Sequence, residues 1–299
     1  MSIGFAHHRK IPYPPRVKKK DSVNLKRAQA VAVAAARAAG ALMRKNWRLA
    51  KQVNDSSQYD IKLELDVRCQ NLIERKLRAA FPQINLLAEE GDSGDINQAW
   101  RWVVDPIDGT VNFAYGIPHA CVAIALQYRS PRSKVKSPKS KNGSPKPEYE
   151  TVLGVIYEPF VDELWTAAKN GPARLNGRVI RVSDRTELAE CVVTTGFAKS
   201  KESLEDMLPF FGRLARSVRK VRMLGSAALA LTYVATGRLD AYVESRVKLW
   251  DIVAGGLILE RAGGEFWCEP IPGDEQAFRL IANNGRVRKK LQRLGLFAK

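Results

Sequence analysis

Apolar residues recur along this chain with two periods, and the switch between them marks its parts. Residues 22–47, SVNLKRAQAVAVAAARAAGALMRKNW, are alanine-rich and almost free of breakers, which predicts a long helix. In LELDVRCQNLIERKLRAAF, the positions Leu65, Cys69, Leu72, Ile73 and Leu77 fall at helical spacing, and Pro82 ends a second helix. Strand patterns follow: INLLA before Glu89, WRWVV before Asp105, HACVAIALQY before a basic stretch and TVLGVIYEP after it. The Asn-Gly of LNGR (175–178) predicts a tight hairpin. From about residue 190 the elements alternate. Strand CVVTT, helix SLEDMLPFFGRLARSV, strand KVRML and helix SAALALTYVATG lead to strand LDAYVE and helix DIVAGGLILERAG; strands EFWCEP and FRLIANN close the series. No internal repeat is visible. Helices first, then a strand-rich middle, then alternation predict layered α+β and α/β halves packed together.

With 299 residues, 45% hydrophobic and 27% charged, the chain is long enough for a large core and has the composition of a globular protein. No apolar run reaches the length of a membrane span, and no signal-peptide core is evident. Cys69, Cys121, Cys191 and Cys268 are widely spaced, which predicts reduced thiols and a cytoplasmic protein. The net charge of +18 is unevenly placed. Residues 1–20 carry +6 and residues 129–147 carry +7, with no acid in either. Both are rich in Lys, Pro or Ser, so a disordered tail over 1–21 and a loop-like insert are expected. They serve as solubilising segments or as a weak, non-specific contact with RNA or another polyanion. The remainder, 22–299, reads as one module, with halves at 22–187 and 188–299.

Charge placement of another kind carries the chemistry. AEEGD puts Glu89 and Glu90 after a strand, DPIDGT puts Asp105, Asp108 and Thr110 after another, LDAYVE ends in Glu244, and LWDIVAGG opens a helix with Asp251. Each acid lies at a strand end or helix start, where loops converge. Two like charges three residues apart at the end of a buried strand are costly unless something positive offsets them. Capping of the short helix begun by GTVNF is one explanation for Asp105 and Asp108, and a helix cap is another for Asp251. Capping leaves several acids at separate strand ends unexplained, whereas a divalent metal with hard oxygen ligands accounts for them. The only histidines are His7, His8 and His119, which excludes a histidine-rich metal site. Gly109 and Thr110 open a helix where backbone amides could approach an anion, so metals beside them suggest phosphate-ester hydrolysis.

WVVDPIDGTVNFAYGIP and WDIVAGGLILERAGG resemble the two signature motifs of the inositol monophosphatase family, in the lithium-sensitive, magnesium-dependent phosphatase superfamily. The resemblance covers roughly 25–285. It implies an αβαβα sandwich with an antiparallel N-terminal sheet, a mixed C-terminal sheet, and helices between and outside them. It implies Mg²⁺, two or three ions per site with Mn²⁺ able to substitute, held by Glu89, Asp105, the Ile107 carbonyl, Asp108 and Asp251. Asp105 would bridge metals, and Glu89 with Thr110 would position the attacking water. Asp108, the Gly109 and Thr110 amides, Ser226, Ala227 and Glu244 would contact the substrate. The resemblance also implies a homodimer and no membrane association, and it places Asp66 near the active site, although helix capping would explain that residue equally.

Three positions depart from the family pattern. Leu63 replaces a common threonine, the loop 51–59 offers no alignable lysine or histidine for a third metal, and Lys248 stands where a histidine often lies near the substrate. The expected activity is hydrolysis of inositol 1-phosphate or a similar polyol or sugar monophosphate. Alternatives are a superfamily phosphatase for histidinol phosphate, fructose 1,6-bisphosphate or a 3′-phosphoadenosine nucleotide, or a polyanion-binding protein with a vestigial site.

Overall fold

The computed structural model describes residues 23–49, 53–56, 61–129, 149–196, 201–295 and 297. The tail expected at 1–21 and all of the 129–147 insert except Arg129 lie outside the described residues. Helix α1 (Leu25–Asn46) is capped by Asn24, whose side chain accepts the Arg27 N–H, and it ends on Arg44 and Lys45. Its alanines form the buried stripe: Ala28, Ala32, Ala35, Ala36 and Ala39 are fully buried. At Gly40 a Cβ would stand 2.6 Å from the Tyr157 ring, so small side chains let α1 lie close on the sheet. Beside α1 packs α2 (Glu64–Ala80), and the hairpin β1 (Val53–Ser56) and β2 (Ile61–Leu63) joins the two helices.

The first sheet has seven strands in chain order. They are β3 (Asn85–Ala88), β4 (Trp100–Asp108), β5 (Cys121–Arg129), β6 (Tyr149–Glu158), β7 (Glu163–Ala168), β8 (Arg174–Leu175) and β9 (Arg178–Val179). The LNGR hairpin is present, with Asn176 and Gly177 both at positive φ between β8 and β9. This sheet is antiparallel except at its edge, where β3 pairs parallel to β4. The reason is the connection: residues 89–99 carry the chain back along the edge before it re-enters, so both strands end at the same side. That departure from a purely antiparallel sheet places Glu89 beside Asp105.

Short helix α3 (Thr110–Ala114) follows β4. The second sheet has the order β11-β10-β12-β14-β13. Its members are β10 (Val192–Thr195), β11 (Lys220–Arg222), β12 (Ala241–Lys248), β13 (Glu265–Ile271) and β14 (Asp274–Asn283). It is mixed: β10 runs parallel to β11 and β12, while β14 is antiparallel to β12 and β13. Helices α5 (Ala227–Ala235) and α6 (Leu249–Arg261) lie between the two sheets, touching strands of both. Helices α4 (Lys201–Ser217) and α7 (Arg288–Arg293) cover the outer face of the second sheet. The layers therefore run αβαβα. Three clusters of buried apolar side chains fill the spaces between successive layers. All four cysteines are free. Among the described residues, no helix is long and apolar enough to cross a membrane.

Candidate active site

The DxxD spacing acquires its meaning from a bulge. Side chains alternate faces along a strand, so residues three apart should point opposite ways. Between Asp105 and Asp108 the register with β5 slips: Asp105 faces Ala123 and Asp108 faces Cys121, three steps on β4 against two on β5. The extra residue returns Asp108 to the face of Asp105, toward the middle helical layer. Gly109 then turns the chain at φ 94°, where a Cβ would meet the His119 carbonyl at 2.9 Å. Glycine alone fits this turn without strain.

Four acids meet there from three separate stretches of chain. Asp105 is fully buried and shares a hydrogen bond with Glu89. Burial, then the charges of Glu89, Asp108 and Asp251, push its carboxyl well above the usual carboxylate range. Asp251, in the first turn of α6, is pushed up strongly by burial and by Asp108 and Glu89. Its side chain reaches back to accept the Lys248 N–H at 3.1 Å, so the expected capping role is real and coexists with membership of the cluster. Lys248 sends its ammonium to Asp274.

Asp108 is held differently. It does not cap α3, whose first position is preceded by Gly109 with no side-chain cap. It caps α5 instead, from across the layer: its carboxylate accepts the N–H of Ala228 at 2.7 Å, the N–H of Ala227 at 3.2 Å and the hydroxyl of Ser226. The Cys121 thiol adds a weak contact at 3.7 Å. Burial raises this carboxyl, and these donors pull it partly back. Ser226 and Ala227, expected to face substrate, are thus bonded to Asp108.

The remaining residues fall around this centre. The Thr110 hydroxyl donates to the Ile107 carbonyl at 2.8 Å, and the Ile107 N–H donates to Asp105 at 3.0 Å, tying the turn into a closed loop of bonds. Glu244, on β12, senses the charge of Asp108 and is raised by burial to about 7. Asp66 sits in the first turn of α2 and accepts the Leu63 N–H at 2.7 Å, the capping geometry. The sequence reading missed Tyr242, whose hydroxyl meets Glu244 at 2.6 Å, and Cys121, opposite Asp108. Tyr242 lies two residues before Glu244, and that spacing was the available signal.

The donor chemistry suits a hard divalent cation: buried carboxylates that raise one another's proton affinity need a positive partner to remain ionised. Among the described residues, no three His, Cys, Asp or Glu side chains are already grouped tightly enough to hold a metal ion as they stand. The acids are gathered, with Asp105 and Glu89 joined by a hydrogen bond. Fit lies in the chemistry of the set and in its convergence.

Given this layer order and acid cluster, a family match and relatives named inositol monophosphatase place the chain in one class of enzyme, the phosphoric monoester hydrolases. Within it, the chain belongs to the inositol monophosphatase family, whose sequence pattern matches residues 24–133 and 147–294. It is 34% identical to the Nus factor SuhB of Xylella fastidiosa, over 88% of this chain and 92% of that protein. It is also 34% identical to an inositol-1-monophosphatase of Synechocystis, over 87% of this chain and 86% of that one. The solved inositol monophosphatase of Anabaena (Nostoc) superposes with a TM-score of 0.73 at 34% identity, covering 91% of this chain and 96% of the other.

Proposed function

We propose that this protein hydrolyses inositol 1-phosphate or a similar polyol or sugar monophosphate, using Mg²⁺ held by Glu89, Asp105, the Ile107 carbonyl, Asp108 and Asp251. The observation that carries the reading is the convergence of Glu89, Asp105, Asp108 and Asp251 from three stretches of chain, with Asp105 and Asp108 buried and Glu89 and Asp251 half-buried beside them. Carboxylates so placed destabilise the fold on their own account, and a phosphatase has a use for them. The cations would supply charge neutralisation and an acidified water.

The chain's own groups do the positioning. The Thr110 hydroxyl, its proton committed to Ile107 O, has lone pairs left to accept from a water, and the Glu89 carboxylate is the second acceptor for that water. Gly109 and Thr110 present backbone N–H groups to the phosphate as the chain enters α3. Asp108, anchored on α5, keeps the wall of the site rigid, and Glu244 accepts from a substrate hydroxyl. Val111, Tyr115 and Ile117, in and just after α3, and Met223, next to the Leu224 whose carbonyl accepts the Asn112 amide, are exposed apolar side chains that a homodimer would cover.

The test is a substrate panel with Mg²⁺: inositol 1-phosphate, histidinol phosphate, fructose 1,6-bisphosphate and adenosine 3′,5′-bisphosphate. The expected result is highest kcat/KM on inositol 1-phosphate and near-complete loss in Asp105→Asn. Wild-type rates in that variant would refute the site, and preference for another ester would reassign the substrate.

A further inference from the structure

Glu244, like Asp108, is held by donors from two stretches of chain. Tyr242, on the same face of β12, donates its hydroxyl to Oε2 at 2.6 Å. From just past the end of neighbouring β10, the N–H of Gly196 donates to the same carboxylate. The approach is closer than a side chain allows: a Cβ on Gly196 would lie 2.1 Å from Oε2 and 2.5 Å from Oε1. Tyr242 and Glu244 are 3% and 9% exposed, so these contacts are shielded from solvent. Asp108 from β4 and Asp251 from α6 act on Glu244 with like charge. Two donors therefore do the work of fixing its rotamer against repulsion. A carboxylate has about four acceptor sites, so two bonds leave capacity for a ligand donor.

We infer that Tyr242 and Gly196 are positioning residues that fix Glu244 as the acceptor for a substrate hydroxyl, so that the site selects phosphate monoesters presenting a hydroxyl group at that place. The inference rests on the phosphatase reading above. It extends that reading by naming two residues, one on β12 and one just after β10, that act through Glu244 without touching substrate.

The experiment compares inositol 1-phosphate with p-nitrophenyl phosphate, which has no alcohol hydroxyl, in the full chain with Mg²⁺. The variants are Tyr242→Phe, Gly196→Ala, Glu244→Gln and the double variant Tyr242→Phe/Glu244→Gln. Tyr242→Phe and Gly196→Ala approach the same carboxylate from opposite sides, so one remains informative if the other folds poorly. Each should raise KM for inositol 1-phosphate about tenfold, the lower value of one hydrogen bond to a charged group, with a smaller change in kcat. The ratio of kcat/KM between the two esters should fall by a similar factor. The double variant should be no worse than Glu244→Gln alone, because Tyr242 acts only through that carboxylate. Additive losses in the double variant, equal losses on both esters, or an unchanged ratio would overturn the inference while leaving the phosphatase reading intact. A wild-type chain that hydrolysed neither ester would overturn both.

Discussion

Asp105 and Asp108 are three residues apart in one motif, yet their neutralisation should move stability in opposite directions. In the chelated protein at pH 7, Asp105 accepts one backbone N–H, from Ile107 at 3.0 Å, and otherwise faces acids. Asparagine keeps that bond through its amide oxygen and removes a buried charge. Because the folded carboxyl is raised, its contribution to stability is present below the ordinary carboxylate pKa and lost as pH rises. Asp105→Asn should therefore melt higher than wild type at pH 7, with the difference shrinking toward pH 4. Asp108 instead uses both oxygens: Oδ2 accepts from Ser226 and Ala228, and Oδ1 from Ala227. An asparagine has one acceptor oxygen, so its NH₂ must face a helix N–H or the Ser226 hydroxyl. Leaving a buried donor unsatisfied costs about 1–3 kcal/mol. Losing the anion at the start of α5 adds about 0.5–1 kcal/mol. Relief of repulsion offsets part of this, leaving a net loss of about 2 kcal/mol, or roughly 3–4 °C in Tm for a chain of this size. Scanning calorimetry in EDTA at pH 7 and pH 4.5 reads both variants. Shifts of the same sign, or a stabilised Asp108→Asn, would show that the bonds to α5 do not hold that carboxylate in place.

Other perturbations test separate parts of the structure. Glu158 is buried on β6, with burial and then Glu163 raising its carboxyl to about 7. Its contribution to stability is complete below about 4.5 and lost as pH rises through 7, so Glu158→Gln should flatten the fall of Tm across that window; an unchanged slope would refute this. Gly109→Ala places a Cβ at 2.9 Å from the His119 carbonyl at positive φ, so it should cost about 2 kcal/mol and displace Thr110, lowering kcat about 100-fold with far-UV circular dichroism retained. Replacing residues 130–148 by a short turn should leave kcat/KM unchanged, because β5 joins that segment at Arg129, paired with Tyr149, eight residues and about 27 Å along the strand from Cys121. Any binding to RNA should weaken in the same variant and its salt dependence flatten.

Local information decided the elements and the identity of the chemistry. Alanine-rich helical periodicity specified α1, and short apolar runs specified β4 to β6. Acids and glycines carry their chemical character wherever the chain puts them, so Glu89, Asp105, Asp108, Gly109, Thr110 and Asp251 could be picked out before any fold was known. What the neighbours of each group would be depended on pairings distant in the chain. Parallel pairing of β3 with β4, set by the path of 89–99, brings Glu89 to Asp105. A one-residue register slip against β5 puts Asp105 and Asp108 on one face. Asp108 caps a helix that begins 119 residues later, and Gly196 admits Glu244 from a neighbouring strand. Periodicity is a property of consecutive residues and survives in the linear chain. Hydrogen-bond partners and shifted proton affinities are properties of packed layers, and they exist only once strands and helices far apart in sequence share the same buried space.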